Sequence, residues 1–179
     1  PDFTRRGWLL SVAARSTAGS LLSDASFSEL TADAKWIRAF GTRGRNRLIL
    51  RGSAGITWTD DFAALPPQLR FFAGGDRSVR GYGYQSIGPR NSDDRVIGGT
   101  SLLVASTEVE HYFTRNWGMA AFVDTGNAFS GTDYRPKIGA GLGLRWRSPV
   151  GMIRVDLGTP IHDDRAHGIQ LHLVIGPDL

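Results

Sequence analysis

Long segments of strictly alternating apolar and polar side chains limit the fold of this chain more than any other feature of its sequence. The clearest segment places Ile138, Ala140, Leu142, Leu144 and Trp146 at every second position, with Lys137, Gly139, Gly141, Gly143, Arg145 and Arg147 around them. A period of two puts the two sets on opposite faces of a β-strand. Each such segment therefore predicts a strand with one apolar and one polar face.

Eight segments alternate in this way and predict eight strands. Their apolar faces begin near Trp8, Leu30, Leu48, Leu103, Trp117, Ile138, Ile153 and Ile169. Most links between them are short and turn-like, as at residues 43–46 and 148–149. One link, from about residue 60 to residue 99, is long enough to suggest a functional loop. With no helical run of useful length, the sequence predicts an all-β antiparallel meander.

Three features favour a transmembrane barrel, whose apolar face meets lipid and whose interior is polar. The segments have about nine to fourteen residues, enough to cross a bilayer at a tilt. The apolar face contains many small residues, whereas a packed soluble core usually has more bulk. The tryptophans also lie at or near strand ends on that face, as in interfacial aromatic belts: Trp8, Trp36, Trp58, Trp117 and Trp146. A lipocalin-like soluble barrel is the alternative.

Charge and cysteine content exclude several classes of function. The net charge is +4, and the basic residues do not form the concentrated, aromatic-interleaved face that nucleic-acid binding needs. The chain has no cysteine, which excludes structural disulfides and thiolate metal sites. No nucleophile-elbow motif organises its serine, histidine and aspartate residues. We therefore predict no enzyme activity, no cofactor and no nucleic-acid partner.

Two further groups of residues have a simple structural interpretation. His162, Asp163, Asp164 and His167 contain metal-ligand types, but they lie in a predicted turn, where such residues are common for backbone reasons. Gly139, Gly141 and Gly143 look like a phosphate loop on paper. They alternate inside a predicted strand, without the strand-turn-helix setting that a dinucleotide site requires, and we interpret them as a flat inner wall that leaves room for the loop.

The long link carries motifs that resemble a known family. It contains Leu65-Pro66-Pro67, Arg70-Phe71-Phe72, Gly74-Gly75-Asp76-Arg77-Ser78 and Val79-Arg80-Gly81-Tyr82. This segment resembles the sixth extracellular loop of the POTRA-containing outer-membrane assembly and secretion factors, which is marked by Val-Arg-Gly and an aromatic residue. Within them, the TamA-type factors are most similar. The likeness continues in order through residues 86–90, 122–126, 145–151 and 175–179.

The resemblance implies a barrel of about sixteen strands. The whole chain, residues 1–179, is then expected to form its C-terminal half, without the N-terminal strands and the POTRA domains. Whether eight strands close alone or pair with another copy stays open at this point.

In the family the loop folds back into the barrel lumen, where its arginine meets acidic residues. The matching motif here is Val79, Arg80, Gly81 and Tyr82. The period of two places Asp124 and Glu108 on the polar faces of their strands. A guanidinium can bind carboxylates bidentately, and Gly81 permits a tight turn. We therefore expect Arg80 to pair with Asp124 and also with Glu108; the alternative is a solvated loop arginine.

The resemblance also implies a function and partners. It indicates an assembly and insertion factor of the Gram-negative outer membrane, working with a TamB-like periplasm-spanning partner on clients such as autotransporters. The last strand is expected to form one side of a weakly paired seam where a client strand adds; its apolar residues are Ile169, Leu171, Leu173 and Ile175. The alternatives are a two-partner secretion transporter, a pore-forming channel and a patatin-fused relative.

Overall fold

The computed structural model describes residues 4–17, 26–149, 151–161, 163 and 165–176. Eight strands make up its regular structure together with two short 3-10 helices, Thr42–Gly44 and Pro67–Leu69. The strands are β1 Arg6–Thr17, β2 Phe27–Phe40, β3 Asn46–Thr59, β4 Ser101–Tyr112, β5 Trp117–Phe129, β6 Lys137–Ser148, β7 Gly151–Ile161 and β8 Gln170–Gly176. The predicted number and type of elements are therefore confirmed.

Each strand pairs with the next in an antiparallel ladder, so the sheet is a meander in the order β1 to β8. In the part of the chain that the structure describes, β1 and β8 are the two edges and the sheet is open. No helix among the described residues has the length and apolar character needed to cross a membrane.

The links divide the sheet into two ends. At the turn end, β4 and β5 are joined by a tight turn in which the Thr114 hydroxyl accepts a hydrogen bond of 2.9 Å from the backbone N–H of Trp117. At the loop end, residues 60–100 form the long loop between β3 and β4. This loop pairs with itself through isolated bridges, such as Ala73 with Ile87, rather than through a regular strand.

The two faces of the sheet have opposite character. On the outer face the apolar side chains are exposed; Trp8 is 74% and Leu142 68% accessible. On the other face, which we call the covered face, the long loop packs against β4 and β5. The hydrophobic core lies there, between loop and sheet, and consists of Ala73, Val79, Tyr82, Ile87, Val104 and Ala128. An apolar outer face and a covered face that carries charge are typical of a membrane barrel.

The tryptophans all lie on the outer face, mostly toward the turn end. Trp8 is opposite Trp36, and Trp117 is opposite Trp146 with their rings stacked 5.4 Å apart. Trp58 lies near the loop end of β3. This placement suits aromatic rings at the two boundaries of a bilayer.

Candidate functional site: a loop arginine in a carboxylate cluster

Three strands place carboxylates on the covered face by the same period of two. Glu108 projects from β4, Asp124 from β5 and Asp156 from β7, and each is at most 5% accessible. Carboxylates are rarely buried unless they are paired, because leaving water costs several kcal/mol per ion. The covered face is therefore built to receive positive charge.

Arg80 of the long loop supplies that charge. Its Nε and Nη2 donate to the two oxygens of Asp124 at 2.7 and 2.9 Å, which is a bidentate pair. Its Nη1 donates to Glu108 at 2.7 Å and to Asp156 at 3.0 Å. The structure thus brings Arg80 together with both partners expected from the sequence and adds Asp156.

The surroundings of Arg80 hold the guanidinium in place. The guanidinium carbon lies 3.5 Å from the centroid of the Phe122 ring, a cation–π contact, and Nη2 also donates to the Ser106 hydroxyl at 3.3 Å. Burial lowers the pKa of Arg80, but the Asp124 hydrogen bond and the nearby carboxylates outweigh that effect, so its pKa lies above the usual value. The arginine is a permanent cation at this site.

The backbone of the motif approaches the sheet closely, which explains two of its glycine positions. Gly81 has φ +95°, and a Cβ there would meet the backbone of Thr159. A Cβ at Gly139 of β6 would overlap the carbonyl oxygen of Arg80. The N–H of Gly81 donates to Nε2 of His172 at 3.1 Å. The loop therefore lies directly on β6, β7 and β8, where a larger side chain would displace it.

Tyr82, the aromatic residue of the motif, is buried beside the link between β7 and β8. Burial and the neighbouring Asp163 raise the pKa of its hydroxyl, so it is protonated at neutral pH. The Asp163 carboxylate in turn forms an ion pair with Lys137 of β6, with Oδ2 and Nζ 2.9 Å apart. The motif thus reaches the loop end of three strands as well as the carboxylate cluster.

A second arginine extends the cluster toward the turn end. Arg145 of β6 is fully buried and binds Glu108, Glu110 and Asp156. Glu110 also pairs with the fully buried Arg47 of β3. The part that Arg145, Glu110, Arg47 and Asp156 play in this cluster was not predicted from the sequence, although charged residues at alternate mid-strand positions were a usable signal.

The remaining predicted residues lie as follows. Ile169, Leu171, Leu173 and Ile175 are exposed along the edge strand or just before it. His162 and Asp164 lie outside the described residues; within the described ranges no three histidine, aspartate or glutamate side chains are arranged so that they could hold a metal ion. Gly139, Gly141 and Gly143 lie inside β6 as expected.

Comparison with known proteins gives the following relatives. The model of the Omp85 superfamily domain matches residues 2–177. The outer membrane protein assembly factor BamA of Nitratidesulfovibrio vulgaris is 36% identical in an alignment of 110 residues, and the match covers 56% of this chain and 14% of that protein. A crystal structure of BamA from Haemophilus ducreyi lacking POTRA domains 1–3 is similar with a TM-score of 0.78 at 21% identity, covering 96% of this chain and 38% of that one. This chain thus spans a minor part of each relative.

An antiparallel meander with an apolar outer face and a loop buried against a charged covered face defines the class: a transmembrane β-barrel protein of the Gram-negative outer membrane. The chain belongs to the Omp85 superfamily. The superfamily inferred from the loop motif is confirmed.

Proposed function

We propose that this chain is part of the barrel of an outer-membrane protein assembly and insertion factor, in which Arg80 locks the long loop against the inner wall. The observation that carries the proposal is one guanidinium bound by Asp124, Glu108 and Asp156. A loop arginine without a structural role would stay in solvent, because burying its charge costs several kcal/mol of desolvation free energy. The relative from N. vulgaris, named as an assembly factor, supports assembly as the task.

The proposed action needs no covalent chemistry. A client strand can add to an exposed sheet edge through backbone hydrogen bonds. Among the described residues, β8 has seven, against eleven to fourteen in the other strands, and it is an edge of the described sheet. The locked loop ties β4, β5 and β7 together behind that edge. The sheet is therefore held in shape while its edge exchanges partners, and short strands favour a thinner bilayer beside them.

At a finer level the proposed role is TamA-type, with a TamB-like periplasm-spanning partner and autotransporters as clients. The ordered motif set supports it, from Val79-Arg80-Gly81-Tyr82 to residues 145–151. The two-partner secretion transporters share the loop motif and are the rival that an experiment must separate.

Depletion of the natural gene product that carries this chain separates these functions. The measurement is quantitative proteomics of the outer membrane and the medium. Selective loss of autotransporters supports the TamA-type role, and co-purification of a TamB-like protein supports the partner. A general loss of outer-membrane barrels supports assembly but contradicts the narrower role. Loss of a single exported protein with normal barrels contradicts assembly and favours two-partner secretion.

A further inference from the structure

Arg145 lies beneath the lock, on β6, outside the loop motif. Its Nη2 donates to Glu108 Oε1 at 2.7 Å, its Nη1 donates to Asp156 Oδ1 at 2.6 Å, and its Nε donates to Glu110 at 3.0 Å. All three carboxylates are buried. Arg145 is therefore a counterion that belongs to the sheet itself.

Arg80 and Arg145 bind the same two carboxylates, each arginine through a different oxygen of each carboxylate. Glu108 gives Oε2 to Arg80 and Oε1 to Arg145. Asp156 gives Oδ2 to Arg80 and Oδ1 to Arg145. Each carboxylate is thereby held by Arg145 with its other oxygen directed at the loop arginine.

The charges of the cluster also indicate that the carboxylates need Arg145. Without a cation between them, Glu108, Glu110 and Asp156 would repel one another and each would carry the cost of an unpaired buried charge. Arg80 sits on a loop, whereas Arg145 is part of the same sheet as the carboxylates. Glu110, bound on its far side by Arg47, anchors Arg145 away from the loop.

We propose that Arg145 is a positioning residue for the loop lock: it orients Glu108 and Asp156 so that they accept Arg80. The proposal rests on the proposed role of Arg80 as the lock. It predicts that the fork of Arg145, and not its charge alone, determines how firmly the loop is docked, because a lysine cannot bridge several carboxylates in fixed geometry.

Loop docking can be measured with a single thiol, since the chain has no cysteine of its own. Val79 is fully buried with the loop docked, so Val79→Cys reports undocking by reaction with a water-soluble maleimide. Arg77→Cys, on the exposed part of the same loop, is the control for reagent access. The folded full chain in detergent is used, and heat-modifiable gel mobility verifies the fold of each variant.

Arg145→Lys in the Val79→Cys background should raise the labelling rate about tenfold, as expected for loss of a charged hydrogen bond. Arg80→Lys should also raise it, and the double variant should show less than the product of the two factors because both act on the same carboxylates. Glu110→Gln, which leaves every contact of Arg80 intact, should raise labelling at least about twofold, because it weakens the anchor of Arg145.

The outcomes separate the two proposals. An Arg80→Lys variant with unchanged labelling contradicts the lock itself. If Arg80→Lys raises labelling while Arg145→Lys folds without raising it, the positioning role alone is wrong. A double variant whose labelling rate rises by the full product of the two single factors also contradicts the positioning role. If Arg145→Lys does not fold, unchanged labelling in Glu110→Gln overturns the positioning role.

Discussion

Arg80 uses all three guanidinium nitrogens on side-chain acceptors of the covered face. Lysine has the same charge but not the planar fork that spans Asp124, Glu108 and Asp156. Removing one partner of a buried, hydrogen-bonded ion pair typically costs about 3–5 kcal/mol, because the other charge is left buried and unpaired. A single loop residue therefore has large control over the position of the loop.

The first prediction concerns reversal of that charge. Arg80→Glu should release the long loop, because a fourth carboxylate among Glu108, Asp124 and Asp156 repels them instead of pairing. Limited proteolysis of the folded protein measures the release, with cleavage inside residues 60–100 becoming at least about tenfold faster. Arg77→Glu, an exposed change in the same loop, is the matched control. Equal cleavage rates in the two variants would contradict a lock at Arg80.

The second prediction concerns the room left by Gly139. Gly139→Ala should loosen the loop and lower the free energy of unfolding by about 1–3 kcal/mol, because the alanine Cβ would overlap the Arg80 carbonyl oxygen. Gly52→Ala is the control, since a Cβ there has Val104 O at an ordinary 3.8 Å. Thermal unfolding followed by heat-modifiable mobility compares the variants; a Gly139→Ala protein as stable as the control would place the loop elsewhere.

At the scale of elements, the two faces of each strand meet different surroundings. The outer face of β6 presents Leu142 and Leu144 to the surroundings, and its covered face presents Gly139 to the loop and Arg145 to the buried carboxylates. The same backbone period serves lipid on one side and ion pairs on the other. Strand composition is thus constrained on both faces, which is why β6 alternates so strictly.

The third prediction uses the depth of side chains in the outer face. Leu142→Arg, at the middle of β6, should cost about 2–4 kcal/mol of folding free energy in lipid, whereas Ile138→Arg, near the loop end, should cost about 0–1 kcal/mol. Urea titration of the protein in phosphatidylcholine vesicles measures both. Equal costs at the two depths would argue against lipid on this face.

The fourth prediction concerns the link between β7 and β8. Burial opposes ionisation of Asp163, but the hydrogen bonds from Lys137 and from the Arg165 N–H hold its pKa below the usual range. A lowered folded-state pKa stabilises the fold above the unfolded pKa, and this contribution is lost as pH falls through the folded one. Asp163→Asn should therefore lower stability at pH 7 and flatten its decline from about pH 5 to pH 3.

Denaturant midpoints measured across that pH range test the fourth prediction. Asp133→Asn is the control: its pair with Arg135 is largely exposed on both sides and should contribute little. If the Asp163 and Asp133 variants share one pH profile, the Lys137–Asp163 pair does not stabilise the link.

At the scale of the whole molecule, the described sheet ends in two edges, β1 and β8. An unpaired edge is a template for other strands. The fifth prediction is that the isolated chain associates with itself when folded in detergent. Its mass with bound detergent subtracted should correspond to at least two chains. A single-chain mass with a heat-sensitive fold would mean that eight strands close alone, leaving little lumen for the loop.

Sequence alone determined the strands, their faces and the loop, because side-chain alternation is a local property of extended backbone. It also indicated Arg80 with Asp124 and Glu108, through the loop motif and the period of two. The contacts of Arg80 fit that expectation, while its role as a lock stays a prediction. The barrel of about sixteen strands likewise stays a prediction.

Only the tertiary structure placed Asp156, Arg145 and Phe122 in the same cluster. Their meeting depends on the register of successive strand pairs and on the path of a loop of about forty residues. Neither is written in a local period, since a one-residue shift in register would turn Asp156 to the outer face while leaving its own strand equally alternating. The period of two in the sequence therefore indicates which charged residues lie on the covered face, and long-range packing decides which of them Arg80 binds.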